Sequence, residues 1–306
     1  MTCKENLNDK VNGWLLINKP KFYTSNKVLT LLKKKFKFKK VGFCGTLDPL
    51  AIGMLPIAIG EARKFIRFLT NHKKTYIFSI KWGISTTTYD IEGPIISKTE
   101  FLPNRESIEK TLKLFIGNIH QVPPIFSAIR VGGTRAYKLA RKNKKFVLSS
   151  RRVKIWDLKI LDHSDYPSVT TFSLTCGSGT YVRSLAVDIA KKLGTLGCVS
   201  YINRISFDPF PSDSLIALDT LYKLNNTDSL NKFLFPFDQF SFNLPSVSVS
   251  NEDSLKLKNG LRINFDQYAA KGASRSGYII VKNNKKSLAI GYVNANNIVP
   301  KRVFNF

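Results

Sequence analysis

Asp48 is the acidic residue best placed in the sequence to do chemistry. The segment from Val41 to Gly60, VGFCGTLDPLAIGMLPIAIG, is strongly apolar and contains this single carboxylate. Because Pro49 follows, the backbone of Asp48 is restricted towards extended conformations, and its side chain can project from the end of a loop. The alternative is structural, since an Asp-Pro pair often forms the N-cap and first position of a helix. Composition alone favours that capping role, so a catalytic role needs further support.

A second segment that could do chemistry is the glycine-rich run Gly177 to Arg183, GSGTYVR. Its glycines predict a turn that delivers Tyr181 and Arg183 to the start of a helix. Such a turn could cradle a phosphate, but the Lys-Ser/Thr ending of a P-loop is absent, and such glycines more often form a bulge. Asp90 is explained most simply as a turn residue, and Tyr76 as a strand residue that packs on the core. Taken singly, each of these residues favours a structural role.

The histidines and cysteines indicate neither a metal site nor a disulfide framework. The three histidines do not fall at the spacing of one helix face, and the four cysteines include no C-x-x-C pair. The residues concerned are His72, His120, His163, Cys3, Cys44, Cys176 and Cys198. We therefore expect no metal ion, and such cysteines fit a protein of the reducing cytoplasm.

The charge of the chain predicts a polyanionic partner. Its 306 residues include 48 Lys and Arg against 21 Asp and Glu, which gives a formal net charge of +27. With 43% hydrophobic residues, the chain is also too apolar to be a disordered basic tail. Coding drift towards adenine and thymine would scatter lysines evenly, whereas the segment 130–156 holds ten basic residues and no acidic one. The six lysines of segment 31–40 could instead form a solvated helix face.

A membrane surface is the weaker alternative for the anionic partner. The most continuous apolar run, 50–59, is too short to span a bilayer and is interrupted by Pro56.

The residues that could do chemistry need a scaffold, and the sequence predicts strands mixed with helices. The run Gly13 to Asn18, GWLLIN, is typical of a buried strand, and segments 75–82 and 169–176 alternate like half-buried strands. Thr24 or Ser25 can cap the helix that follows the first strand. The predicted apolar face of that helix consists of Val28, Leu31, Leu32 and Phe36.

Another helix is predicted directly after the glycine turn, with Thr180 as a possible cap and Gly194 just past its end. Strands and helices do not alternate regularly, which favours the α+β class. The length allows one large domain or two. A loop-like stretch around 225–245 precedes short predicted strands that are broken at Asn259-Gly260 and similar pairs, so we predict a boundary at Leu244 and a small β-rich module over 245–306.

Three segments taken together resemble the TruB family of tRNA pseudouridine-55 synthases. They are Gly13 to Ser25, GWLLINKPKFYTS; Gly42 to Pro56, GFCGTLDPLAIGMLP; and Gly179 to Asp188, GTYVRSLAVD. The middle segment is the most specific, and the resemblance spans nearly the whole chain. It implies a pseudouridine synthase fold with a central mixed, mainly antiparallel sheet and flanking helices over 1–244. It also implies a small β-barrel-like domain of the PUA type over 245–306.

The resemblance implies that a uridine in the T loop of tRNA, position 55, is isomerised to pseudouridine without a cofactor. Asp48 is then the catalytic carboxylate, and Arg183 is the cation that pairs with it and favours its negatively charged form. The sequence does not choose among three routes, in which the ionised carboxylate attacks C1′, adds to the uracil ring or removes a proton from C2′. Tyr76 stacks on the uracil and assists loss of the C5 proton. The other substrate-binding residues implied are Phe43, Tyr181, Ile202, Asp90 and Lys19.

The basic stretch lies where the family carries an RNA-gripping insertion, here about 126–156. The residues expected to contact the RNA backbone are Arg130, Arg135, Lys138, Arg141, Lys142, Arg151 and Arg152. The expected partner is the T arm of tRNA, bound by a cytoplasmic monomer that needs no protein partner and no membrane.

The sequence departs from the family pattern at three places. Phe43 stands where histidine is usual, and it can stack on a base but not hydrogen-bond to it. Asn203 replaces the first of two arginines while Arg204 remains, and Asp208 stands where glycine is common. Two alternatives therefore stay open: a tRNA-binding or tRNA-folding protein whose enzymatic site has decayed, and a relative that depends on a guide RNA.

Overall fold

The structure is a computed structural model that describes residues 11–69, 72–166, 168–224, 227–240, 244–268 and 274–305. Its strands are β1 Gly13–Lys19, β2 Val41–Phe43, β3 Ile52–Ile59, β4 Lys74–Trp82, β5 Ile84–Thr86, β6 Ile95–Lys98, β7 Gly117–Gln121, β8 Arg130–Val131, β9 Thr134–Arg135, β10 Arg151–Ser164, β11 Val169–Cys176, β12 Gly197–Phe207, β13 Ile216–Ala217, β14 Ser246–Ser248, β15 Ile263–Asn264, β16 Ser276–Asn283, β17 Lys286–Asn294 and β18 Asn297–Val303. Its α-helices are α1 Ser25–Phe36, α2 Arg105–Leu112, α3 Ala136–Arg141, α4 Val182–Lys192, α5 Leu218–Tyr222, α6 Thr227–Leu230 and α7 Asn251–Lys258. Short 3₁₀ segments are Gly60–Leu69, Lys113–Phe115 and Asn231–Phe233.

A mixed sheet forms the centre of the molecule. Within the described residues it has nine strands, in the order β13-β1-β3-β12-β4-β11-β10-β7, with β2 paired to β3. The pairs β1–β13 and β3–β12 are parallel, and the other pairs are antiparallel. This mainly antiparallel sheet with helices confirms the predicted α+β class.

The apolar strand β1 is buried on both faces of this sheet. Leu15 and Ile17 belong to one apolar cluster, while Trp14 and Leu16 belong to another on the opposite face. Successive side chains of a strand point to opposite faces, so burial on both sides produces a continuous apolar run instead of alternation. The strand predicted from GWLLIN is confirmed for this reason.

The helices start and stop near the predicted places. Thr24 is the N-cap of α1, where its hydroxyl accepts a hydrogen bond from the Lys27 N–H at 3.0 Å. Gly194, in the left-handed region at φ +73°, follows the end of α4, as predicted. The predicted cap of α4 is wrong, because Tyr181 and not Thr180 occupies the N-cap position.

A second sheet of five strands, β14-β16-β17-β18-β15, lies in the predicted C-terminal module. It packs on the 3₁₀ segment Gly60–Leu69, where Phe65 stacks on Phe304 with 5.4 Å between the ring centroids. Asn259-Gly260 was predicted to separate two strands. This prediction is wrong, because these residues follow Lys258 and end helix α7. Across 225–245, where a loop was predicted, the described residues include the short helix α6, while 225–226 and 241–243 lie outside the described residues.

Candidate active site

Asp48 lies in the loop between β2 and β3, in a turn that is not a helix. Its carbonyl accepts a hydrogen bond from the Ala51 N–H at 3.1 Å, and no helix follows before strand β3. The structure therefore contradicts the capping role that composition favoured. About a third of the Asp48 side chain, 36%, is exposed, so the carboxylate faces a space that a ligand can enter.

Arg183 connects this loop to helix α4. It occupies the first turn of the helix, its side chain is only 4% exposed, and its Nε donates to Asp48 Oδ2 at 2.7 Å. The two remaining nitrogens donate to backbone carbonyls, Nη1 to Thr88 at 2.8 Å and Nη2 to Phe126 at 3.0 Å. A planar guanidinium has its donors in a fixed fork, so these bonds orient the Nε–H that holds Asp48. Residues that are 135 positions apart in the chain are thus joined by one ion pair.

Asp90 is both a turn residue and a neighbour of the ion pair. Its Oδ1 accepts from the Thr88 hydroxyl at 2.6 Å and from the Glu92 N–H at 3.2 Å, as expected for aspartate in a turn. Its Oδ2 lies 3.8 Å from Arg183 Nη1. One buried guanidinium therefore lies between two carboxylates, Asp48 and Asp90, and compensates their charges in a partly desolvated site.

Tyr76 lies on strand β4, and its ring belongs to the same apolar cluster as Leu47 and Leu50, which flank Asp48 in the sequence. Burial raises the pKa of the Tyr76 phenol, and the Asp48 charge raises it further. The guanidinium of Arg204 opposes both effects, because it favours the phenolate. Burial outweighs Arg204, so the phenol is held in its neutral form close to the carboxylate.

Arg204 was noted in the sequence only as the one that remains of two arginines usual in the family. The structure places it in the site. It lies on β12 opposite Tyr76 and is almost fully buried, with Nε donating to the Met54 carbonyl and Nη2 to the Gly45 carbonyl, both at 2.8 Å. Gly45 has a φ of +62°, and a Cβ there would lie 2.9 Å from an Arg204 nitrogen. The close approach and the left-handed backbone both require glycine. Arg204 thus supports the loop that leads to Asp48.

Lys19 supports the other side of the same loop. Its side chain is completely buried, and its ammonium donates to the carbonyls of Tyr23 at 2.6 Å, Pro20 at 2.9 Å and Pro49 at 3.3 Å. Burial lowers the pKa of Lys19 to about 8, with the charge of Asp48 opposing the shift. Three bonds use all three donors of an ammonium. This geometry favours a positioning role over the direct substrate contact expected from the sequence.

The remaining predicted substrate-binding residues lie in different environments. Tyr181 precedes α4, and both its N–H and its carbonyl are bonded to the side chain of buried Gln121, at 2.8 and 3.2 Å. Burial raises the pKa of Tyr181, and the Asp48 charge adds to the shift. Ile202 is buried in the cluster that contains Tyr76, and Phe43 is half-buried on β2. Gln121 was missed because a lone glutamine carries no sequence signal.

Lys74 is a second buried lysine that the sequence did not single out. Its ammonium donates to the Ser178 hydroxyl at 3.0 Å, in the glycine turn, and lies 4.7 Å from the centroid of the Phe207 ring. Burial lowers its pKa to about 8, and the nearby Arg204 charge lowers it further. Alternation along β4 places Lys74 on the same face as Tyr76, which is the only signal that could have revealed it.

The basic segment forms a small hairpin and helix outside the main sheet. Strands β8 and β9 are joined by Gly132 and Gly133, both at positive φ, and α3 follows at once. The sheet strand β10 begins at Arg151, so the predicted insertion of 126–156 is too long at its C-terminal end. All seven basic residues predicted to contact RNA are exposed.

Three further features of the described residues are the state of the cysteines, the possible metal ligands and the length of the apolar helices. Cys44, Cys176 and Cys198 are free and buried, and Cys3 lies outside the described residues. Among the described residues there is no group of three or more His, Cys, Asp or Glu side chains that could hold a metal ion. In the same residues no helix is long and apolar enough to cross a membrane.

Comparisons with known proteins show the family of the chain. Residues 33–182 match the family model described as TruB family pseudouridylate synthase, N-terminal domain. The chain is 44% identical to tRNA pseudouridine synthase B of Caulobacter vibrioides over 255 residues, covering 83% of this chain and 82% of that protein. It is 42% identical to tRNA pseudouridine synthase B of Ehrlichia ruminantium over 297 residues, covering 96% and 99% of the two chains.

Among solved structures, the chain is similar to one in the crystal structure of a Cbf5-Nop10-Gar1 complex. The TM-score is 0.72 at 22% sequence identity, and the match covers 96% of this chain and 85% of that chain. The structure of an H/ACA RNP bound to a substrate RNA containing 2'-deoxyuridine gives a TM-score of 0.71 at 21% identity, covering 96% and 85%. At identities of 21% and 22% these similarities concern the fold alone. This fold agrees with the one implied by the sequence motifs.

Proposed function

The chain belongs to the TruB family of pseudouridylate synthases, and from this premise we infer that it converts a uridine of tRNA into pseudouridine. We propose further that the uridine is position 55 in the T loop, that Asp48 is the catalytic carboxylate and that residues 1–244 form the catalytic domain. The observation that carries the assignment of Asp48 is its 2.7 Å ion pair with the buried Arg183, which leaves 36% of the Asp48 side chain exposed. A carboxylate that is paired with a buried cation and is still accessible from solvent is a candidate for a functional site.

The reaction is an isomerisation in which the base changes its point of attachment. The N1–C1′ bond breaks, the uracil turns, and a C5–C1′ bond forms; the C5 proton leaves to solvent and N1 gains a proton. No electron is gained or lost overall, so no redox cofactor is required. Attack at C1′, addition to the ring and removal of the C2′ proton all need an ionised Asp48 with a fixed direction, which the Arg183 bond supplies.

The neutral Tyr76 provides an aromatic face beside this carboxylate. A base inside a stacked loop cannot present C1′ to a side chain, so the target nucleotide must be flipped out at a cost of a few kcal/mol. Stacking on an aromatic ring returns about 1–3 kcal/mol per base. We assign this stacking to Tyr76, with Tyr181, Ile202 and Phe43 lining the pocket. We also assign to Tyr76 assistance in the loss of the C5 proton; Arg204 favours the phenolate that would accept this proton, although burial holds the free site in the neutral form.

The exposed basic hairpin and helix, together with Arg151 and Arg152 at the start of β10, are proposed to hold the phosphates of the T arm. All seven side chains face solvent, and no acidic residue lies between 130 and 156. The module over 245–306 is proposed as a PUA-like domain that adds contacts to the acceptor side of the tRNA. We propose that the protein works in the cytoplasm as a monomer and needs no other protein chain. Size-exclusion chromatography with light scattering measures the molar mass in solution and so tests the monomer directly.

Release of tritium from tRNA tests the function and the assignment of Asp48 together. A tRNA transcript labelled at uridine C5 should release label with the wild-type protein and none above background with Asp48→Asn. The conservative variant keeps the shape of the side chain, and a matched Asp157→Asn change on the exposed surface should have no effect. Turnover by Asp48→Asn would mean that the catalytic carboxylate lies elsewhere.

The same assay separates the two alternatives. A decayed tRNA-binding protein would bind the transcript but release no label from it. A guide-dependent relative would release label only when a guide RNA is added, so release from transcript alone excludes it. Conversion of the uridine at position 55, and of no other uridine, is checked by mapping pseudouridine in the product tRNA.

A further inference from the structure

Phe22 is an aromatic residue whose position is not explained by packing. It is 66% exposed, and its backbone lies in the left-handed region at φ +66°. A glycine would adopt this conformation without the clash of a Cβ atom, whereas phenylalanine adopts it under strain. The chain therefore holds a large apolar ring in water, on a backbone that disfavours it.

The backbone of Phe22 is fixed to the loop that carries Asp48. Its N–H donates to the Pro49 carbonyl at 2.8 Å, and Pro49 directly follows Asp48. The ammonium of Lys19 donates to carbonyls on both sides, at Pro20 and Tyr23 in one loop and at Pro49 in the other. Two of these four hydrogen bonds, from the Phe22 N–H and from the Lys19 ammonium, end on the Pro49 carbonyl and join the two loops, while the other two hold the ammonium to its own loop. The backbone of Phe22 therefore has a fixed place next to the loop that carries Asp48.

The surroundings of the ring are cationic and aromatic. The Lys21 ammonium lies 4.8 Å from the centroid of the Phe22 ring, and the Lys27 ammonium lies 4.4 Å from the centroid of the Tyr23 ring. Aromatic faces combined with positive charges form the surface on which unpaired nucleobases stack while their phosphates are neutralised.

We propose that Phe22 is a stacking residue for an unpaired base of the tRNA that neighbours the flipped uridine. This inference rests on the proposed function, since it requires an RNA loop bound at Asp48. Flipping leaves a neighbouring base without its stacking partner, and an exposed ring whose backbone is bonded to Pro49, the residue after Asp48, can replace that partner. The ring thereby stabilises the complex in which uridine has entered the site.

The Phe22→Gly variant distinguishes an effect on tRNA binding from an effect on folding, because we expect it to weaken tRNA binding without lowering the stability of the fold. The Phe22→Gly variant relieves the backbone strain, so its melting temperature should be equal to or above that of the wild type. Its affinity for tRNA, measured in the Asp48→Asn background to exclude turnover, should fall by about 5- to 150-fold. That range is the ~1–3 kcal/mol of one stacked base converted at 1.36 kcal/mol per tenfold. Phe22→Tyr keeps the ring and should bind as the wild type does.

The matched control is Phe101→Ala. Phe101 is 57% exposed, and its carbonyl accepts a hydrogen bond from the Thr195 hydroxyl. Thr195 lies beyond the C-terminal end of α4, which is about 14 Å along the helix from Arg183. Its replacement should leave tRNA affinity unchanged. Wild-type affinity in Phe22→Gly, or an equal loss in Phe22→Tyr, would overturn the stacking role while tritium release by the wild type still supported the proposed function.

Discussion

Replacing Arg183 with methionine removes the one cation that contacts Asp48 in the described residues while keeping an apolar side chain of similar length. Three direct bonds are lost, to the Asp48 carboxylate and to the carbonyls of Thr88 and Phe126. Removing one partner of a buried ion pair costs about 3–5 kcal/mol of folding stability. Because 36% of the Asp48 side chain is exposed and water can replace part of the interaction, we expect about 3 kcal/mol.

The effect on catalysis follows from the loss of a charge-assisted hydrogen bond. Such a bond contributes about 1.5–3 kcal/mol, which corresponds to a rate reduction of roughly 10- to 150-fold. The first-order rate of tritium release under single-turnover conditions measures this, because it excludes differences in product release. Saturating Arg183→Met with tRNA should not restore the rate, since the side chain orients Asp48 and is not placed to hold the phosphates.

Arg183→Lys serves as the control for charge. Lysine keeps the positive charge, but its ammonium cannot reach a carboxylate and two carbonyls with the fixed fork of a guanidinium. Its rate should lie between those of the wild type and Arg183→Met, and its stability should recover in part. A folded Arg183→Met protein that releases tritium within threefold of the wild-type rate would refute the argument that Arg183 orients the catalytic carboxylate.

Two further predictions concern Lys74 and the basic segment. Burial lowers the pKa of Lys74 to about 8, so between pH 8 and its unfolded value of 10.5 the unfolded chain binds more protons, and the folded state gains stability as the pH rises. The unfolding free energy of the wild type, measured against Lys74→Met by urea titration, should therefore improve by about 2 kcal/mol between pH 7.5 and 9.5. In the basic segment, changing Arg135 and Lys138 to glutamine should reduce the slope of log K for tRNA against log salt by about 1.5, since each phosphate contact contributes about 0.7–0.9.

The controls for these two predictions use the same measurements. A difference between wild type and Lys74→Met that is independent of pH would contradict the lowered pKa of Lys74. The control for the salt dependence uses two exposed lysines outside the basic segment. Lys110 lies on α2, and Lys113 directly follows this helix. Changing both to glutamine should leave the slope unchanged, and an equal reduction in that variant would mean that binding responds only to net charge.

Much of the scaffold could be predicted from the sequence because its signals are local. The strands β1, β4 and β11 and the helix α4 follow from apolar patterns of period 2 or 3.6, from glycines and from caps, all of which act within a few residues. Asp48 and Arg183 could be singled out as candidates because their segments are unusual in composition and match a family pattern. The roles proposed for them stay predictions until the variants are assayed.

The supporting role of some residues could not be predicted, because it depends on partners that are distant in the chain and carry no residue-specific signal. Lys19 was expected to bind substrate, and Arg204 was noted without a role. Both bond to backbone carbonyls, which every residue has, so no spacing of residue types indicates that they position the loop of Asp48. The strained backbone of Phe22 and its bond to Pro49, which lies 27 residues further along the chain, likewise appear only in the folded chain. The sequence by itself determined the elements and the candidate carboxylate, whereas tertiary structure decided which buried charges hold that carboxylate in place. A buried charge is stable only where folding brings acceptors to it, and those acceptors exist as a set only in the folded chain.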